Sequence, residues 1–317
     1  MLQKRLIFGC LLAASVIGLT WLDGYLSAIP VRRLGVPLLG VDIMNWVQNG
    51  LLITVLLLSL TILAAEELRG LAEMAGCKPF GAISTLFAAG FVVGPYITFN
   101  LRSLNINWID ESYAMLWMSI AMGMAFWFQA TRVGVEKTFI NLSSTLFILF
   151  YSGGLAGYLT RLRMEVGGPS GAALTVFSMF VVKMTDTGAF FTGYLLGRHK
   201  MIPWLSPGKT WEGLIGGVAA ALISSAVCGT LLHRYGLMGQ PSGHGADLGV
   251  LLLFGLIMAG FSVAGDLCAS LLKRDAAIKD SGSIFPGLGG VLDVLDSPLL
   301  AAPAAWFFWT RLIQVMG

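Results

Sequence analysis

Residues 248–297 read LGVLLLFGLIMAGFSVAGDLCASLLKRDAAIKDSGSIFPGLGGVLDVLDS, and the first half of this stretch decides the fold. Between Leu248 and Leu272 the only charged side chain is Asp266. About 20 apolar residues suffice for a helix to cross about 30 Å of hydrocarbon. The run therefore predicts a membrane helix that carries a carboxylate. Unpaired backbone groups are too costly in lipid for open structures, and nothing in the chain alternates as a barrel strand does.

The same reading extends along the chain. Of 317 residues, 56% are hydrophobic and 12% charged, with a mean hydropathy of +0.79. Soluble domains carry about 25% charged residues, so this chain has too few to cover a wetted surface. The expected fold is an all-α integral membrane protein of about nine transmembrane helices, at roughly 6–22, 49–65, 82–100, 113–131, 138–160, 171–196, 213–232, 248–272 and 298–315. Lys4 and Arg5 precede the first run, but no small-x-small cleavage site follows, so it reads as a retained anchor. An N-terminus in the cytoplasm puts twelve Lys and Arg on the inside and seven outside, with Lys183 in a span, which obeys the positive-inside rule. The four cysteines, Cys10, Cys77, Cys228 and Cys268, show no paired spacing and read as small apolar residues.

Charge divides the chain into an N-terminal region, 1–170, of about five nearly uncharged spans and a C-terminal region, 171–317. The second carries Lys183, Asp186, Asp266, Lys273, Asp293 and Asp296 in or beside spans. Ionisable residues are expensive in a membrane and mark function. In the opening stretch, Asp266, Ser270, Lys273 and Arg274 share a helix face. Lys279 and Asp280 follow, then Pro286-Gly287-Leu288-Gly289-Gly290, then Asp293 and Asp296, with Ser297-Pro298 read as the cap and first turn of the last span. Clustered carboxylates suit Mg²⁺, cations beside them hold phosphates, and glycines admit backbone amides to phosphate oxygens. A second stretch, Ser206-Pro207-Gly208-Lys209-Thr210, reads as a turn presenting a lysine and two hydroxyls at a helix N-terminus. Asp186, in Thr185-Asp186-Thr187-Gly188-Ala189, is either a further site ligand or a partner of Lys183. His199 reads as a basic neighbour of headgroups, and Glu66 and Glu67 as a solvated helix end.

This order of residues resembles the phosphatidate cytidylyltransferase (CDP-diacylglycerol synthase) family. Its signature runs Ser, two residues, Lys-Arg, four residues, Lys-Asp, then Pro-Gly-His-Gly-Gly and Asp-Arg-x-Asp. Ser270, Lys273, Arg274, Lys279, Asp280, Pro286, Gly287, Gly289, Gly290, Asp293 and Asp296 fall in its register, and Asp266 matches the aspartate before the serine. Leu288 and Val294 replace the usual His and Arg. The Asp-Thr-Gly-Ala element and the Ser-Pro-Gly-Lys-Thr loop are similar to the family's too, and the likeness covers about residues 175–310.

The resemblance implies transfer of the cytidylyl group of CTP to phosphatidate, in phospholipid biosynthesis, at a site facing the cytoplasm of a multi-pass inner-membrane protein. It implies Asp266, Asp293 and Asp296 as Mg²⁺ ligands, catalytic roles for these three with Lys273 and Arg274, and substrate contacts from Ser206, Gly208, Lys209, Thr210, Ser270, Lys279, Asp280, Gly287, Gly289, Gly290 and Asp186. Partners are CTP, phosphatidate and the bilayer, with no nucleic acid. A second cation such as K⁺ and a homodimer are left open. The rivals are a lipid-alcohol kinase, separable by its nucleoside diphosphate product, and a secondary transporter, which needs an inverted repeat that the sequence lacks.

Overall fold

The computed structural model describes residues 2–29, 37–38, 41–103, 112–238, 247–282, 284–285 and 289–316. Its helices are α1 (Leu2–Ala28), α2 (Ile43–Gln48), α3 (Leu51–Met74), α4 (Gly81–Ser103), α5 (Tyr113–Phe128), α6 (Thr138–Leu149), α7 (Leu155–Val166), α8 (Gly168–Leu196), α9 (Trp211–Arg234), α10 (Leu248–Asp275), α11 (Val291–Phe307) and α12 (Ile313–Met316). π-Helical turns extend α5 at Gln129–Val133, join α6 to α7 at Phe150–Gly154 and extend α11 at Phe308–Leu312. Two small antiparallel hairpins accompany them, β1 (Pro37–Leu38) with β2 (Val41–Asp42), and β3 (Lys200–Ile202) with β4 (Ser206–Thr210).

Among the described residues seven helices are long and apolar enough to cross a membrane: Leu51–Met74, Gly81–Arg102, Thr138–Val166, Gly168–Leu196, Trp211–Arg234, Leu248–Asp275 and Val291–Leu312. The expected spans at 6–22 and 113–131 fall on α1, which is only partly described, and on the 16-residue α5.

The boundary read at Ser297-Pro298 is displaced. α11 begins at Val291, and Pro298 and Pro303 lie inside it. A proline removes one helix hydrogen bond, a loss that tightly packed membrane helices tolerate. What starts the helix early is its capping: Asp293 accepts from the amide of Gly290 at 2.9 Å, and Glu67 accepts from Val291 and Leu292 at 2.8 Å each. Asp293 and Asp296 thus stand on the first turns of a helix, not on a loop before it.

The packing joins residues of both regions. One core joins Ile53, Leu57 and Leu68 of α3 and Leu155 and Leu159 of α7 to Leu292, Leu295 and Leu299 of α11. A second gathers Phe177, Phe254, Phe308 and Trp309 from α8, α10 and the end of α11.

α8 and α9 cross closely because small residues face each other. A Cβ on Gly188 would meet the side chain of Ala220 and the carbonyl of Gly216, the latter at 2.8 Å, and one on Gly217 would meet the carbonyl of Thr185 at 3.0 Å. Without a hydrophobic force between helices in lipid, such close backbone approach is a main source of association.

The first half also buries charge, where the sequence reading saw almost none. Arg163, expected in an outside loop, is buried in α7 with Nε 2.8 Å from Asp23 Oδ2 of α1. Its Nη2 donates to Ser27 at 2.6 Å.

Candidate active site

The β3–β4 hairpin bridges the end of α8 and the start of α9. Residues 206–210, expected as a turn, form a strand instead; the turn itself is at 203–205. The Thr210 hydroxyl caps α9 by accepting from the amide of Gly213 at 3.1 Å. Glu212 accepts from the amides of Arg198 and His199 at 3.1 and 3.2 Å and contacts His199 Nδ1 at 2.6 Å. Both groups hold the hairpin against the helix.

The hairpin is held to α10 as well. Lys209 Nζ lies 2.8 Å from Asp266 Oδ2, and Arg274 Nε donates to the carbonyl of Leu205 at 3.2 Å. Ser270 approaches Asp266 Oδ1 at 3.5 Å. Between α8, the hairpin, α9 and α10 lies a cleft of about 620 Å³. Asp186, Lys200, Gly208, Lys209 and Asp266 are among its polar lining, and Phe190, Tyr194, Leu214 and Val263 among its apolar lining.

A second polar node joins α10, α11 and α3. Lys273 Nζ lies 2.7 Å from Asp293 Oδ1, with both side chains about nine-tenths buried. Asp293 Oδ2 accepts from the amide of Ser281 at 2.9 Å, from its hydroxyl at 3.1 Å and from the amide of Gly290. Glu67 Oε2 receives the same hydroxyl at 2.8 Å. Glu67 is therefore not the solvated residue expected from sequence, whereas Glu66 does pair at the surface with Arg69 at 3.0 Å.

This node changes the reading of the glycine turn. The amide of Gly290 and those opening α11 already serve Asp293 and Glu67. A Cβ on Gly282 would lie 2.7 Å from Glu67 Oε1, and one on Gly290 would strike both Glu67 and Ser281. Gly282 and Gly290 make room for the carboxylate of Glu67. Pro286, Gly287 and Leu288 lie outside the described residues.

A third group links α8 to α11. Lys183 Nζ is 3.1 Å from Asp186 Oδ2 and 4.0 Å from Asp296 Oδ1. Asp186 Oδ1 accepts from Ser262 at 2.7 Å and Ser297 at 3.3 Å. Asp296 Oδ1 accepts from the amide of Ser297 at 2.7 Å. Gly265 packs on the backbone of Asp296 and Ser297, where a Cβ would meet Ser297 Cα at 2.9 Å. Asp186 and Asp266 lie within electrostatic reach of Asp296.

The expected trio of Asp266, Asp293 and Asp296 is thus divided. Asp293 belongs to the cap of α11 with both oxygens engaged, whereas Asp266 pairs with Lys209 and Asp296 lies near Lys183. Among the described residues no three His, Cys, Asp or Glu side chains gather to hold a metal by themselves. Mg²⁺ needs only one or two carboxylates when substrate phosphates complete its shell, so Asp266 and Asp296 have the donor chemistry for it.

Lys279 and Asp280 stay exposed, as does Gly208, while Ser206 is half-buried. Asp186 both pairs with Lys183 and lines the cleft, the two readings that sequence left open. Sequence reasoning missed Glu67, Ser281, Lys200, Ser262 and Ser297 as members of the site. Lys200 had a faint signal, since it closes the Gly-Arg-His-Lys run before the hairpin.

Comparison with known proteins follows the same outline. The profile described as the Cytidylyltransferase family matches residues 33–312. A phosphatidate cytidylyltransferase of Brucella suis is 39% identical over 160 residues, 50% of this chain and 54% of that protein. One from Synechocystis is 34% identical over 204 residues, 57% of this chain and 66% of that one. The chloroplastic phosphatidate cytidylyltransferase 4 of Arabidopsis thaliana is 35% identical over 200 residues, 56% of this chain and 48% of that one. The chain thus spans about half to two-thirds of the length of these curated relatives.

Proposed function

Because the chain belongs to the cytidylyltransferase family, we propose that it transfers the cytidylyl group of CTP to phosphatidate, giving CDP-diacylglycerol and pyrophosphate. The observation that supports this most is the mixed lining of the cleft. Lys200 and Lys209 are available there to nucleotide phosphates, and Phe190, Leu214 and Val263 to a lipid. A water-soluble nucleotide and a bilayer lipid both find matching side chains in such a cleft.

In this reading Lys209 binds a phosphate of CTP and Asp266 aims its ammonium group. Asp266 and Asp296 would hold Mg²⁺, which when bound adds positive charge to the phosphates and to the departing pyrophosphate. Lys183 lies between Asp186 and Asp296 and offsets one of their two negative charges. The phosphatidate oxygen, already ionised, attacks the α-phosphorus in line. It needs no general base, so His199 stays in its structural pairing with Glu212. Arg274 holds the hairpin in place, and Lys273 and Asp293 fix α10 against α11.

In this proposal the chain is a multi-pass protein of the inner membrane, with its N-terminus in the cytoplasm and the cleft on the side where CTP is present. Contacts at the end of α8, the start of α9, the end of α10 and the start of α11 put all four at one end of the bundle.

The test is purified protein in phosphatidate-containing micelles with radiolabelled CTP and Mg²⁺. Label should enter the lipid as pyrophosphate appears, and chelation should stop both. Release of CDP with a newly phosphorylated lipid would instead establish a kinase.

A further inference from the structure

Glu67 and the second-half motif stand 214 or more positions apart in sequence, yet the carboxylate makes three hydrogen bonds there. It accepts from the amides of Val291 and Leu292 and from the hydroxyl of Ser281, each at 2.8 Å. These are the first amides of α11, which have no partner within the helix and face the positive end of its dipole. A carboxylate there replaces the anion that such a site would otherwise draw from solution. The Ser281 hydroxyl has one proton and two carboxylate neighbours, Glu67 and Asp293. Ser281 therefore ties the loop to both, and Asp293 passes the constraint to Lys273 on α10.

The fit is tight on every side. Gly282 and Gly290 leave room for the carboxylate where any side chain would collide with it. α3 itself is fixed in the core against α7 and α11 by Leu57, Leu68 and Leu295. The residue thus extends from a rigid helix of the first half into the turn that orders the motif.

We propose that Glu67 is a positioning residue for the reaction, an internal anion that α3 delivers to the start of α11 to hold Asp293, Lys273 and Ser281 in register. This rests on the cytidylyltransferase reading given above. Glu67 does not line the cleft, so its loss acts on the alignment of α10 and α11 more than on nucleotide binding.

Glu67→Ala should lower kcat about 10- to 100-fold, the scale of losing charge-assisted hydrogen bonds, with the KM for CTP changed less than about threefold. Glu67→Gln, which keeps one acceptor, should retain more activity. Formate should restore part of the rate of Glu67→Ala by refilling the amide site and should do nothing for the unaltered protein. Trypsin should cut after the exposed Lys279 faster in Glu67→Ala than in the unaltered protein. An unchanged kcat in Glu67→Ala would overturn the assignment, as would a loss that tracks lowered thermal stability with no formate response. Proteolysis needs no turnover, so it tests Glu67 even where the unaltered protein makes no CDP-diacylglycerol, a result that would remove the functional reading instead.

Discussion

Replacing Asp266 by Asn takes the anionic partner from Lys209, whereas replacing Asp293 by Asn takes a cap from α11. Asp266 is 39% exposed, and ion pairs in contact with water contribute little to stability. Asp266→Asn should therefore melt like the unaltered protein in detergent while activity falls about 10²–10³-fold, the range for losing one preorganised electrostatic partner. Asp293→Asn should lose activity and also about 1–2 kcal/mol of stability, as caps do. Thermal unfolding beside the lipid-labelling assay separates the two, and full activity in either variant would count against its place in the site. The motif spacing made both residues legible, because a rigid signature survives any arrangement of helices. Which oxygen meets which donor was not legible. That depends on Glu67 and Ser281, and the first of these is separated from its partners by an entire half of the chain.

Helices were the easiest elements to read, since apolar length is written directly into the sequence. Their ends were harder, as α11 shows: the cue at Ser297-Pro298 is a sound local signal, overridden by side chains from elsewhere. The β3–β4 strand was read as a turn because Pro207 and Gly208 favour one, and only pairing with Lys200–Ile202 straightens it. The α8–α9 crossing carries a prediction at this scale. Gly188 sits two residues after Asp186, and the crossing sets how far Asp186 stands from Lys209 across the cleft. Gly188→Val should force the helices apart, cost about 1–3 kcal/mol as overpacking does and reduce activity with it. Gly260 on α10 faces open space, so Gly260→Ala should leave stability unchanged or raise it by about 0.4–1 kcal/mol. Equal melting of the two variants would show that the crossing is not as tight as its geometry indicates.

At the scale of the molecule, the bundle has a chemical end and a structural end. Asp23 and Arg163 lie at the second, beside Gly171 near the start of α8, while the cleft lies along the last turns of that helix. Their side chains are 0% and 1% exposed. Removing one member leaves the other charged and buried, at a cost of about 3–5 kcal/mol, whereas replacing both by apolar groups is often close to neutral. Asp23→Leu and Arg163→Met should each destabilise the protein strongly in detergent, and the double variant should recover most of the loss. Because the pair is remote from Lys209 and Asp266, the recovered double variant should also keep its KM for CTP and most of its kcat. Additive losses in the double variant would mean that the pair does more than neutralise itself. The sequence reading placed Arg163 in a loop because hydropathy treats each charge alone. Burial of that arginine depends on an acid 140 positions away, on a different helix, and only the folded bundle brings the two together.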